Sequence, residues 1–154
     1  MAGKIDIQLI KKLREETGVA IIRIREVLEE VKSDEKKALD ILKKEGLAKA
    51  EKREGRETGA GKIFVYQHHT GKVVGIVELL CETDFVAKTD QFELVGKDLA
   101  MQAASMGTEK FEDQDFIKDG SKKLKDMVKE LIAKTGENVQ LGRVLKMELG
   151  TTGK

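Results

Sequence analysis

Cys81-Glu82-Thr83-Asp84-Phe85-Val86-Ala87-Lys88 decides how this chain is read. Before it runs Val73-Val74-Gly75-Ile76-Val77-Glu78-Leu79-Leu80, which has a strand's composition, and after it a helical pattern begins. The octet therefore marks a strand-to-helix corner. Thr83 or Asp84 can cap that helix, because a short side-chain oxygen accepts a bond from an orphan N–H of the first turn. Phe85 then falls in the first turn, where a junction tends to be exposed. In a chain with only 4% aromatic residues, a ring at such a place raises the question of what it touches. A staple packing back on its own domain is one answer. A contact with another molecule is the second, and local spacing leaves both open.

Working upstream, Lys62-Ile63-Phe64-Val65-Tyr66-Gln67 is a second β-rich run, and the turn His69-Thr70-Gly71-Lys72 joins the two as a hairpin. Downstream, Phe92, Val95, Leu99 and Ala103 line one face of a helix from Asp90 to Met106. Residues 107–120 are polar and read as loop. Ser121 is placed to cap a helix with the stripe Leu124, Met127, Val128, Leu131 and Ile132, stopped by Gly136. Val139, Leu141, Val144, Met147 and Leu149 then read as a third strand beside the hairpin. Helices covering one face of a small antiparallel sheet make an α+β domain, residues 62–154.

Three short helices come first, in residues 1–48. Ile5, Leu9, Ile10 and Leu13 form one stripe ended by Gly18, and Ile21, Ile24, Val27, Leu28 and Val31 form the next. Ser33 or Asp34 caps a third helix carrying Ala38, Ile41 and Leu42, with Gly46 as its stop. Ile22 leaves the second stripe, since neighbours on a helix point about 100° apart. It belongs either to a wide buried stripe or to a contact surface. Residues 49–61 carry Lys, Arg, Glu and Gly with almost no apolar side chain, as a charged linker or a frayed helix end does.

Composition excludes several classes. With 29 basic and 28 acidic residues, the net charge of +1 argues against a dedicated polyanion binder. Gly55 to Lys62 fails as a phosphate loop, because Gly55 lies one residue too far from Gly61 and Ile63 follows the lysine. His68 and His69, as strand neighbours, are expected on opposite faces and so unable to chelate one metal. No nucleophile elbow or metal-ligand spacing is present, so neither catalysis, a cofactor nor a metal is expected. The single Cys81 reads as a small buried hydrophobe on a strand. No apolar run nears the roughly 20 residues that span a bilayer, and Met1-Ala2-Gly3-Lys4-Ile5-Asp6 lacks a leader pattern. The cytoplasm is the expected compartment.

Cys-Glu-Thr-Asp-Phe-Val-Ala-Lys resembles a signature of the elongation factor Ts family, the guanine-nucleotide exchange factors for elongation factor Tu. Two further segments carry the same resemblance in the same order. They are Leu13-Arg14-Glu15-Glu16-Thr17-Gly18 with Lys37 to Ala50, and Ile132-Ala133-Lys134-Thr135-Gly136-Glu137-Asn138-Val139. The resemblance implies a bundle similar to a ubiquitin-associated domain, then an α+β core of the short form, lacking the second core subdomain and the coiled-coil insertion. It also implies that Thr83, Asp84, Phe85 and Val86 enter a cleft of the Tu G domain near its magnesium and phosphate site. Ile21, Ile22 and Arg25 would make a second contact with that domain, at positions where the family commonly has methionines and lysine. Elongation factor Tu, GDP-bound or nucleotide-free, is the implied partner, with no direct binding of nucleotide, membrane or DNA. A homodimer through the sheet would replace the missing subdomain. The rival reading is an adaptor or a ribosome- or RNA-associated module, using the bundle and the basic linker.

Overall fold

Asp6 opens the first helix by accepting a hydrogen bond from the Gln8 N–H at 2.9 Å. The computed structural model describes residues 5–151. The leader reading of Met1 to Lys4 and the outer ends of both expected domains therefore lie outside the described residues. Helix α1 spans Ile7–Thr17, α2 Ile21–Glu30 and α3 Glu35–Arg53. Ile10, Leu13, Ile24, Val27, Leu28, Ala38 and Leu42 close a small core of their own. Asp34, not Ser33, caps α3, accepting from the Lys37 N–H at 3.1 Å. Gly18 ends α1 with φ of +67°, where a Cβ would also come within 2.8 Å of the Lys134 Cα. Left-handed backbone and close packing both call for glycine there.

Helix α3 does not stop at Gly46. It runs seven residues further, because Gly46 lies against helix α6 (Leu124–Thr135), where a Cβ would sit 3.2 Å from that of Ala133. An interior glycine costs about 1 kcal/mol relative to alanine. Here close helix packing offsets it. Ala50 is buried in the core of the following domain, and the Arg53 guanidinium donates to the Ile132 carbonyl at 3.3 Å. The first part of the charged stretch is therefore a packed helix end.

Strands β1 (Ala60–Gln67) and β2 (Val73–Cys81) pair antiparallel, and β5 (Val139–Glu148) pairs antiparallel with β2, giving the order β1-β2-β5. The expected three-stranded sheet is present. Helix α5 (Asp90–Met106) covers its inner face through Phe92, Leu99, Ala100 and Ala103, with the Phe64 and Phe92 ring centroids 5.9 Å apart. Between α5 and α6 the expected loop is more ordered than polarity indicated. Phe111–Asp113 forms one 3-10 turn, and β3 (Asp115–Phe116) pairs with β4 (Asp119–Lys123). Phe111 and Phe116 are buried, too far apart in a polar stretch to show a period. Buried Gln102 on α5 fastens the hairpin by donating to the Asp115 carbonyl at 3.0 Å and accepting from the Ile117 N–H at 3.0 Å. Ser121 lies inside β4 and caps nothing; the Lys123 N–H donates to Asp126 at the start of α6. No helix among the described residues is long and apolar enough to cross a membrane.

Candidate partner-binding site

Strand β2 ends at buried Cys81, whose thiol donates to the Thr83 carbonyl at 3.2 Å. Burial, then the negative charge of Glu137, pushes this thiol above its ordinary range, so it stays protonated and unreactive. Thr83 adopts an extended backbone, and its hydroxyl oxygen accepts from the Val86 N–H at 3.4 Å. The cap opens the one-turn helix α4, Asp84–Ala87. Six residues on, Thr89 repeats the arrangement: it accepts from the Phe92 N–H at 3.3 Å and donates to the Val86 carbonyl at 2.8 Å. Two threonine caps thus turn the chain twice between sheet and α5.

On a single helical turn, the cap decides which side chains face out. Phe85 is 87% exposed and Asp84 is exposed beside it. The staple reading of Phe85 is removed: its ring does not pack into the domain. Val86 differs from the expectation too, because it is only 8% exposed and belongs to the domain's own core with Ala87. Val86 faces the domain's interior and is not presented on the outer side of α4. Ile22, 74% exposed, with Ile21 and Arg25 exposed beside it, forms a separate patch on α2. Arg23 fixes that helix to α3 through a two-pronged pair with Glu45, Nε to Oε2 at 3.1 Å and Nη2 to Oε1 at 2.6 Å.

What sequence reasoning missed is the support behind the corner. Glu137 accepts from the Thr83 N–H at 2.9 Å with one oxygen and from the Thr83 hydroxyl at 2.7 Å with the other. In return Glu82 accepts from the Asn138 N–H at 2.7 Å, and the buried Asn138 side chain donates to the Arg56 carbonyl at 2.8 Å. Two of the three segments quoted for the resemblance therefore meet here. Residue types alone show only a polar Gly136-Glu137-Asn138 between a helix and a strand, which reads as ordinary loop, and the resemblance of that segment gave Glu137 no role.

His68 and His69 do not point to opposite faces. Strand β1 ends at Gln67, so strand alternation no longer applies, and the two rings lie 4.1 Å apart in the turn. Among the described residues no three His, Cys, Asp or Glu side chains group as a metal site. Lys62 lies in β1 and pairs with Glu93 at 2.6 Å, which holds that carboxyl below its usual range. The sheet's outer face is open. Val65, Ile76 and Leu145 run across the three strands in register, with Val74 and Met147 in the next row. Ile63, Val65, Leu145 and Met147 are all exposed.

A family model described as Elongation factor TS matches residues 82–153, from the octet's Glu82 onward. Elongation factor Ts of Thermotoga neapolitana is 36% identical, with 97% of this chain and all of the relative covered. That of Fervidobacterium nodosum is 35% identical over 96% and 99%, and that of Leptospira biflexa 37% over 92% and 96%. The Thermotoga alignment spans 196 positions against a chain of 154 residues, so the relative carries residues within the matched span that have no counterpart here.

Proposed function

The chain belongs to the elongation factor Ts family, and we propose that it serves translation elongation by releasing GDP from elongation factor Tu, with no bond-making of its own. One observation carries this reading: a fully presented aromatic, Phe85, on a turn capped from within by Thr83. Burying one such ring contributes roughly 1.5–3 kcal/mol, and a central aromatic can be worth 2 kcal/mol or more. The ring enters a cleft of the partner's G domain, with Asp84 alongside it and Ile21, Ile22 and Arg25 as the second contact. Occupation of that cleft favours a G domain whose magnesium and phosphate site is displaced. Linkage then governs the outcome: if the chain weakens GDP and magnesium, they weaken the chain by the same factor. The ternary complex dissociates either way, and GTP binding displaces the factor. The cytoplasm is where this partner is met.

The full chain should accelerate release of fluorescent GDP from elongation factor Tu, rising with its concentration to saturation. Release at the spontaneous rate under saturating binding would sink the reading. Asp84→Ala should lower the stimulation about fivefold, the scale of one lost hydrogen bond of roughly 1 kcal/mol. An Asp84→Ala variant as active as the parent would remove Asp84 from the contact.

The open sheet face supports a second protomer as the substitute for the missing subdomain. A two-fold axis would lay the Val65, Ile76 and Leu145 rows of two copies against each other. Leu145→Lys should then raise the dimer dissociation constant by at least about tenfold, read by sedimentation equilibrium. A parent chain that stays monomeric at high concentration would exclude the dimer.

A further inference from the structure

Helix α4 cannot hold itself. It has four residues, and a single turn of helix is unstable without outside contacts. Its inner side is fastened by Val86 and Ala87, but the direction of its outer side depends on how Thr83 is held. Resting on the exchange reading above, we propose that Glu137 is a positioning residue that sets where Phe85 points. Its two carboxylate oxygens take both donors of Thr83, the N–H at 2.9 Å and the hydroxyl at 2.7 Å. With its proton committed to Glu137, the Thr83 hydroxyl keeps a lone pair for the Val86 N–H. Cap and brace are thus one hydrogen-bond chain from Glu137 through Thr83 to the turn that carries Phe85.

Glu137 is itself well seated. It follows Gly136, whose φ of +77° closes α6, and its own N–H donates to the Thr135 hydroxyl at 3.4 Å. Next to it, buried Asn138 donates to Glu82 and to the Arg56 carbonyl. Residues 82–83 and 137–138 therefore grip each other in both directions. The rigid end of α6 and the start of β5 become the mount for the exposed corner. Removing the carboxylate frees the Thr83 hydroxyl to rotate and the Thr83 backbone to shift, while Asp84 and Phe85 on the outer side stay chemically the same.

The five phenylalanines make a direct test. Phe64, Phe92, Phe111 and Phe116 are buried and Phe85 alone is exposed, so 4-fluorophenylalanine labelling provides one reporter at the corner and four in the core. Phe85→Leu assigns the corner resonance. In Glu137→Ala the Phe85 line should move or broaden while the other four keep their positions. Stimulation of GDP release should fall on the order of tenfold, less than for loss of the ring itself, because a misdirected ring keeps part of its contact. Glu137→Gln should restore both readouts in large part, because its amide still accepts from the Thr83 N–H and donates to the hydroxyl oxygen. Should Glu137→Ala fail to fold, Thr83→Val removes the hydroxyl link and should displace the same line. An unmoved Phe85 line in the folded variants would overturn the proposal, as would equal movement of all five. A displaced Phe85 line with unchanged exchange would overturn the link between the direction of Phe85 and exchange, whereas a parent chain that leaves release at the spontaneous rate would sink the exchange reading and leave the brace standing.

Discussion

Phe85→Ala is expected to remove most of the stimulation of GDP release from elongation factor Tu, on the order of thirtyfold or more at subsaturating factor. The size follows from what the ring can supply: a large aromatic at the centre of a contact is worth about 2 kcal/mol or more, and this one is almost entirely free to be buried by a partner. The fold should not notice the loss. Because the side chain is 87% exposed, truncation opens no cavity in the domain, and the Thr83 cap and the buried Val86 and Ala87 remain. Unfolding free energy should stay within about 0.5 kcal/mol of the parent. Exchange and denaturant unfolding measured on the same preparation separate the two effects. A variant that releases GDP as fast as the parent would remove the wedge. Phe85→Leu should fall between the two, since it keeps part of the apolar surface.

Gly75→Ala should be the most damaging small change to stability. Gly75 lies on the central strand β2 and faces inward, opposite Tyr66 on β1 and Lys146 on β5. A Cβ there would overlap the Ala100 carbonyl oxygen and stand 2.6 Å from the Ala104 backbone nitrogen. Neither atom is a flexible side-chain end. Helix α5 is held in place by Phe92, Leu99 and Ala103, so relieving the clash means lifting the helix off the sheet. Overpacking of this kind costs about 3 kcal/mol, a large part of the 5–15 kcal/mol that typically stabilises a domain. Urea unfolding with a midpoint unchanged from the parent would show that α5 can shift freely. Exchange should fall as well, because α5 begins at the Thr89 cap and carries the corner with it.

Local pattern made much of the fold legible. Alternation and turn residues placed β1 and β2, and the 3.6-residue period placed α5 and the inner residues of the bundle. Two of the differences come from residues whose role depends on a distant neighbour, and a third from where a strand ends. Gly46 read as a helix stop, whereas Ala133, far along the chain, makes a small residue necessary in the middle of α3. Phe111 and Phe116 sat unnoticed in a polar stretch because the groups that bury them come from other elements. The histidines were assigned to a strand that ends one residue before them.

At the candidate site the division is similar. That a strand-to-helix corner exists at Cys81 to Lys88, and that Thr83 caps it, was written in residue types and spacing, because capping is a short-range hydrogen bond. Whether Phe85 would fold back or stand out was not. A one-turn helix has no stripe long enough to declare its buried side, so the packing of Val86 and Ala87 into the core, together with the hold on the Thr83 cap, decided it. Glu137 was invisible for the same reason: its two bonds to Thr83 span 54 residues of chain. Sequence alone determined the main helices, the three strands of the sheet and their order, since propensity, period and caps act within a few residues. Tertiary structure decided which apolar side chains are left outside and what holds them there, because burial is settled by every element that packs against a residue and not by its neighbours in the chain.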